Sequence, residues 1–257
     1  MTRRHLTALA ALLVFGLVRL PIELHIEREA RAARFHGVTL DLGVFEKMGQ
    51  MGFVAALSGF RAVVADAFWI HASVVWERVD WAAMKVDFDI VTTLQPRCVL
   101  FWDISAWHMY ANASIAALEN RKQPREGLRL KAQREYWRIG EDYLLRGIAN
   151  NPESAALYAS LGTLYKDRFQ DHAKAAEAYA KGAALPRPPA YLHRFALYEL
   201  AQVPGREREA YEKLLALYRK GEDEHLPTLL KHLGELQEKL NVPAEQKVNT
   251  SPPPDTP

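Results

Sequence analysis

Apolar residues recur every three or four positions along most of this chain, which is the spacing of an amphipathic α-helix. The clearest example lies near the C-terminus and consists of Leu226, Leu229, Leu230, Leu233, Leu236 and Leu240. Pro243 ends that helix because proline cannot continue the backbone hydrogen bonding. The pattern predicts an all-α protein whose last helix, residues 226–240, closes the end of the core.

A more specific spacing occurs between residues 151 and 186, which predict a helix, a turn and a second helix. The positions that define the two helices are Tyr158, Leu161, Gly162 and Tyr165 in the first and Ala175, Tyr179 and Gly182 in the second. Small residues in each helix let the helices approach closely, while the tyrosines fill the space beside the contact. This spacing resembles the signature of the tetratricopeptide repeat (TPR) family, with one extra residue in the turn between Phe169 and His172.

Two prolines extend the resemblance backwards along the chain. Pro152 precedes Tyr158 by six residues, and Pro96 precedes Trp102 by the same distance. Repeats are therefore expected at residues 65–98, 99–152, 153–189 and 190–220, within a repeat domain of residues 65–240. In the second repeat the second helix is predicted later than usual, at about residues 133–149, after an insertion at residues 120–131. Met84 occupies a position in the first repeat where a small residue is usual.

The resemblance implies a TPR-like helical-hairpin solenoid, a right-handed superhelix with a concave groove that binds peptides or protein segments. Its register turns seven residues of the first helices of the first two repeats toward that groove, together with Asp66. These predicted partner-binding residues are Trp69, Ser73, Trp76, Glu77, Asp103, Trp107 and Tyr110. Tryptophan and tyrosine supply large contact areas at low entropic cost, so a groove of this kind suits an apolar or basic segment. The alternative is that these rings pack in the core.

The N-terminus carries a separate signal. After Arg3 and Arg4, residues 6–18 contain no charge and are rich in leucine, alanine and valine. Thirteen residues are fewer than the roughly 20 that span a bilayer, and Arg19 interrupts the run. The layout favours an uncleaved signal anchor or transmembrane helix at residues 1–22 over a cleaved signal peptide or an interfacial helix.

Such an anchor predicts a membrane-anchored protein whose repeat domain is periplasmic or otherwise extracytoplasmic, although the arginines that follow the apolar run weaken this orientation. Residues 23–64 are expected to form a linker and a helix, at about residues 40–61, that packs on the first repeat. Residues 241–257 are rich in proline and are predicted to be a disordered tail.

Composition narrows the class of partner. The chain has 33 lysines and arginines against 31 acidic residues, so no overall field favours nucleic acid. A basic stretch around the insertion could contact phosphates or lipid headgroups, but a solvated helix face is the favoured interpretation. It contains Arg121, Lys122, Arg125, Arg129, Lys131, Arg134 and Arg138 against Glu126 and Glu135.

Candidate chemistry is sparse. Cys98 is the only cysteine, so neither an intramolecular disulfide nor a cysteine zinc cage can form. No metal-ligand spacing, phosphate loop or nucleophile with a base is found in the sequence, and His71, Asp103 and His108 are interpreted as structural or surface residues. We therefore predict no catalytic residue, metal or cofactor. The expected function is a scaffold or adaptor that binds a protein or peptide segment, and the alternative is a stoichiometric structural subunit of a cell-envelope membrane complex.

Overall fold

The computed structural model describes residues 59–250, together with Val14, Leu17, Val18 and Pro21. The predicted anchor at residues 1–22 lies outside the described residues except for those four positions. The linker and packing helix before residue 59 and the tail from residue 251 also lie outside them. Within the described part of the chain, no helix has both the length and the apolar character needed to cross a bilayer.

The described chain is helical and contains no strand, which confirms the predicted all-α class. It divides into an N-terminal unit, Met1–Pro152, and a C-terminal unit, Glu153–Pro257. The helices of the N-terminal unit are α1 (Arg61–Glu77), α2 (Trp81–Leu94), α3 (Val99–Trp107), α4 (Ser114–Leu118) and α5 (Glu126–Asn150). A π-helical turn, His108–Ala113, joins α3 to α4. Helix α1 packs on α2, and both α3 and α4 pack on α5.

The C-terminal unit is a second series of paired helices. They are α6 (Ala155–Leu164), α7 (His172–Ala183), α8 (Ala190–Ala201), α9 (Glu207–Tyr218) and α10 (Pro227–Lys239). Helix α7 packs against both α6 and α8, and α10 packs against α8 and α9. The core between the last three helices is built from leucines, including Leu214, Leu229 and Leu233, which are fully buried.

Short polar side chains begin several of these helices. Asp80 accepts a hydrogen bond from the backbone N–H of Ala83 at 3.1 Å, and Asp171 accepts one from Lys174 at 2.9 Å. These caps satisfy N–H groups that have no partner inside the helix. Pro227 begins α10, where its missing N–H costs nothing.

Glycines allow the closest helix contacts. A Cβ placed on Gly162 of α6 would lie 2.5 Å from Cε1 of Tyr179, a ring that is 1% exposed. A Cβ on Gly140 of α5 would lie 2.9 Å from Cβ of Tyr110. Both distances are shorter than van der Waals contact, so only glycine fits at these two positions.

A π-helical turn at Tyr165–Phe169 absorbs the extra residue that the sequence shows before His172. A π turn contains one more residue than a turn of α-helix, so the extra residue fits without displacing the helix that follows. Gln170 then adopts the left-handed conformation, with φ 54°, and the N–H of Asp171 donates to the carbonyl of Tyr165 at 3.0 Å. The turn therefore closes directly onto the cap of α7.

The insertion differs from the prediction. Helix α5 begins at Glu126 rather than at about residue 133, and only residues 119–125 connect it to α4. Residues 126–132 include leucine, arginine, lysine and alanine, which favour helix, and α4 packs along α5. The inserted residues thus form most of the connection and lengthen α5 at its N-terminal end.

The beginning of the predicted disordered tail is also different. The N–H of Val248 donates to Oε1 of Gln237 at 2.7 Å, and Val242 and Val248 pack against the leucine core. Gln237 is 4% exposed. Residues 241–250 are therefore ordered, because α10 offers a buried amide that satisfies their backbone and an apolar face that covers their valines.

We expect Gly162→Ala to lower the free energy of unfolding by about 1–3 kcal/mol, because the new methyl group overlaps a buried ring that cannot move away. The ring of Tyr179 is held by its hydroxyl, which lies 3.0 Å from Oγ1 of Thr163. Urea denaturation followed by far-UV circular dichroism measures the change.

Gly127→Ala is the matched control. Gly127 lies in helix α5, and a Cβ there meets nothing within 4 Å, so the same substitution should stabilise the protein by about 0.5–1 kcal/mol. Equal effects of the two substitutions would contradict the close approach at Gly162.

Candidate functional site

A cavity of about 300 Å³ lies between α1, α2 and α3 in the N-terminal unit. Its described lining residues are Trp69, Ala72, Ser73, Trp76, Met84, Phe88, Ile104, Trp107 and His108. The volume is at the lower end of the range for small-molecule pockets and is large enough for one long side chain of a partner. No lysine, arginine, aspartate, glutamate or cysteine is among these residues.

Helix α1 forms one wall because Trp69, Ala72, Ser73 and Trp76 are spaced three, four and seven residues apart and lie on one face. Helix α3 and the start of its π turn form the opposite wall with Ile104, Trp107 and His108. The indole side chains at the two edges are half exposed, with 47% of Trp76 and 45% of Trp107 accessible to solvent.

The aromatic rings meet at angles rather than in parallel stacks. The His108 ring lies 5.0 Å from the Trp107 ring and 6.1 Å from the Trp76 ring, both in edge contact, and 5.7 Å from Phe88. Trp69 tilts against Phe88 at 5.7 Å. Edge-to-face and tilted pairs are favourable arrangements for aromatic quadrupoles, so the rings support one another around the cavity.

His108 is uncharged in this environment. Nδ2 of Asn112, which can only donate, lies 3.0 Å from Nδ1 of His108, so Nδ1 accepts the hydrogen bond and carries no proton. Burial among the surrounding rings lowers the pKa of His108 below its ordinary value. The cavity therefore contains a neutral imidazole at neutral pH.

The floor of the cavity is Phe88 of α2, which is held between two buried carboxylates. Asp87 is 2.8 Å from Nδ1 of His71 on α1, and burial raises the pKa of this carboxyl, while the hydrogen bond and charge of His71 lower it. Asp89 accepts a hydrogen bond from the Tyr143 hydroxyl at 2.8 Å and one from Lys85 at 2.9 Å. These contacts connect α2 to α1 on one side and to α5 on the other.

Arg146 of α5 completes the cluster around Asp89. Its guanidinium approaches Oδ1 of Asp89 at 3.7 Å and lies over the rings of Trp102 and Tyr143, at 5.3 and 4.8 Å from their centroids. Burial and the neighbouring Asp89 carboxylate hold the pKa of Tyr143 well above its usual value, so its hydroxyl remains a donor. Trp102 is 3% exposed and donates to the carbonyl of Pro96 at 2.8 Å, which places it in the core.

The structure brings four of the seven predicted partner-binding residues to the cavity: Trp69, Ser73, Trp76 and Trp107. Glu77 is exposed beside Trp76, and Asp103 is partly buried one helical turn before Trp107. Tyr110 is 9% exposed and packs against Gly140, so it faces the core and not the cavity. The π turn that begins at His108 rotates the residues after Trp107 relative to a regular α-helix. The repeat spacing assumes a regular helix and therefore misplaced Tyr110.

The sequence patterns did not assign five lining residues to the site: Ala72, Met84, Phe88, Ile104 and His108. The sequence indicates a structural or surface role for His108. The one sign that it belongs to the site is its position next to Trp107, a predicted partner-binding residue. Met84, at a position where the resemblance expects a small residue, is 2% exposed and forms part of the lining. Among the described residues, no group of three or more potential ligands could hold a metal ion.

The lowered pKa of His108 makes a prediction for stability. The ordinary pKa of histidine is 6.5, so the unfolded chain takes up this proton before the folded chain as the pH falls. The free energy of unfolding should therefore decrease as the pH falls through and below that value. In His108→Gln this loss should be smaller, as measured by urea denaturation at about pH 7.5 and about pH 5. An undiminished loss in the variant would show that His108 takes no part in the acid destabilisation.

Comparisons of the chain with protein-family models, with curated proteins and with solved structures find no match.

Proposed function

We propose that this protein is a membrane-anchored adaptor that binds a segment of a partner protein in the aromatic cavity of a TPR-like helical-hairpin solenoid. The observation that carries the proposal is the pair Trp76 and Trp107, which stand half exposed on either side of an apolar cavity. Large aromatic side chains in this position dominate many protein interfaces, because a partner's side chain can displace water from a ready-made apolar site.

The helix pairs support a TPR-like arrangement within each unit. In the C-terminal unit, Gly162 meets Tyr179 and Gly182 meets the Cβ of Tyr158, as expected for helices that approach at small residues. In the N-terminal unit, the cavity lies between the first helices of two successive pairs, α1 and α3. First helices line the concave groove in this type of solenoid, so the cavity belongs to the proposed groove.

We assign no reaction to the chain. The described lining of the cavity has Ser73 and His108 as its polar side chains and carries no carboxylate, lysine or cysteine. The membrane anchor and the extracytoplasmic location of the helices are proposed from the apolar run at residues 6–18 alone. No nucleic-acid or cofactor partner is proposed.

An exposed apolar stripe on α1 favours a second candidate function. The protein would then be a stoichiometric structural subunit of a membrane complex. Val63, Ile70 and Val74 are 57%, 67% and 40% exposed, and their spacing places them in one stripe. An exposed apolar stripe is usually covered in the working assembly. An obligate subunit should be unstable or poorly soluble without its neighbours, whereas an adaptor should be monodisperse alone.

Trp107→Ala should abolish recovery of the partner while leaving the protein folded. The half-exposed indole has less apolar contact to lose than a core tryptophan, whose truncation costs about 3–5 kcal/mol. The partner is captured from native membranes with the full-length protein by crosslinking, pull-down and mass spectrometry, and stability is measured by thermal denaturation.

Leu145→Ala is the matched control, because Leu145 is also apolar and 47% exposed but lies on α5 and does not line the cavity. We expect it to retain the partner. A loss of stability of core size in Trp107→Ala, or unchanged recovery of the partner, would contradict the proposed role of the cavity.

A further inference from the structure

We infer that the cavity recognises the cationic side chain of an arginine or lysine in a basic segment of the partner protein. This inference rests on the proposed function and specifies the chemistry of the ligand. It combines three observations: an aromatic lining, the absence of a cation among the described lining residues, and two carboxylates on the same face of α1 that have no partner among the described residues.

The lining presents the groups that attract an organic cation. Tryptophan is the best of the aromatic side chains for this interaction, because its ring face carries the negative part of a strong quadrupole. Three tryptophans, Trp69, Trp76 and Trp107, line one cavity together with Phe88. His108 adds a third kind of ring, and because burial lowers its pKa it introduces no competing positive charge at neutral pH.

Two carboxylates extend this surface beyond the cavity. Asp66 and Glu77 are exposed on α1, and Asp66 precedes Trp69 by three residues while Glu77 follows Ser73 by four. All four residues therefore share one face of the helix. Neither carboxylate makes an ion pair or a hydrogen bond with another residue in the described part of the chain. Carboxylates beside an apolar cavity steer and select a positively charged ligand.

The charge of the surrounding segment agrees with this chemistry. Between residues 59 and 119 the chain has seven acidic and four basic residues. The acidic residues are Asp66, Glu77, Asp80, Asp87, Asp89, Asp103 and Glu119, and the basic residues are Arg61, Arg78, Lys85 and Arg97. Lys85 is paired with Asp89 at 2.9 Å, and this pairing leaves the excess of acidic over basic residues in the segment unchanged.

The volume of the cavity suits the side chain of an arginine or a lysine. About 300 Å³ is ample for a guanidinium or an alkylammonium group with its methylene stem, which can lie against Met84 and Ile104. An arginine or lysine combines such a stem with a charged end, and its stem packs on apolar surface while its charge stays near the rim. An acidic segment would instead meet Asp66 and Glu77 and be repelled.

The test is a titration of the full-length protein with a pair of small probes. N-acetylarginine N-methylamide carries the guanidinium, and N-acetylcitrulline N-methylamide has nearly the same shape without the charge. Binding is followed through the indole N–H resonances, which Trp69→Phe, Trp76→Phe and Trp107→Phe assign. We expect the arginine probe to shift the resonances of the three cavity tryptophans and the citrulline probe to bind about threefold to thirtyfold more weakly.

Variants separate the contribution of the carboxylates from that of the aromatic rings. Asp66→Asn combined with Glu77→Gln should weaken the arginine probe and reduce its salt dependence, whereas Glu119→Gln, outside this face, should not. Trp76→Leu should abolish binding, and Trp76→Phe should retain part of it. Nα-acetyllysine N-methylamide, which keeps the charged side-chain ammonium, should behave like the arginine probe.

Several outcomes would overturn the inference. Equal binding of the citrulline probe, or tighter binding of N-acetylleucine N-methylamide, would make the ligand an apolar group. Preference for phosphocholine would assign the cavity to a lipid headgroup, and self-association that the arginine probe reverses would assign it to a second copy of this chain. If Trp107→Ala loses the partner while the carboxylate variant retains it, the adaptor function stands and the cationic ligand does not.

Discussion

The packing of α6 on α7, and of α5 on the turn after α3, depends on one constraint: the helices approach closely at a position where one of them has no side chain. At Gly162 and Gly140 a single added methyl group would overlap a tyrosine of the facing helix. The tyrosines then act as fixed spacers, because their rings are buried and the Tyr179 hydroxyl is within hydrogen-bonding distance of Thr163. Each of these two contacts therefore has one well-defined separation. The π turn at Tyr165–Phe169 adds a residue without altering its contact, whereas the π turn at His108–Ala113 carries Tyr110 onto Gly140.

The candidate site lies in the N-terminal unit, where a large side chain replaces a small residue at one helix contact. On α2, Met84 stands where the repeat pattern expects a small residue, and with Phe88 it forms an apolar wall beneath α1 and α3. The carboxylates on either side of Phe88 hold that wall in place through His71 and Tyr143. Burying charges is costly unless they are paired, so this cluster stabilises one position of α2 and leaves Trp76 and Trp107 at the edges of the cavity.

Much of the helical content could be predicted from sequence because its signals are local. The leucine spacing predicted a helix at residues 226–240, and the structure has α10 at Pro227–Lys239. The start of α5 and the packing of residues 241–250 could not be predicted, because α4 and the buried amide of Gln237 are tertiary partners. Four of the predicted site residues line the cavity, but the π turn moved Tyr110 onto Gly140, and no pattern of helical spacing reports a π turn. His108 could not be assigned to the site from sequence, because its place there depends on the rings of Trp76, Phe88 and Trp107 that pack around it.

Photocrosslinking from inside the cavity shows whether a partner protein lies there. A photoreactive phenylalanine derivative placed at Ser73, which lines the cavity, is compared with the same group placed at the exposed Leu145 on α5, both in the full-length protein in its native membrane. We expect a discrete crosslinked protein from Ser73, joined through a segment that contains arginine or lysine, and no such product from Leu145. The same product from both positions, or from neither, would contradict a partner held in the aromatic cavity.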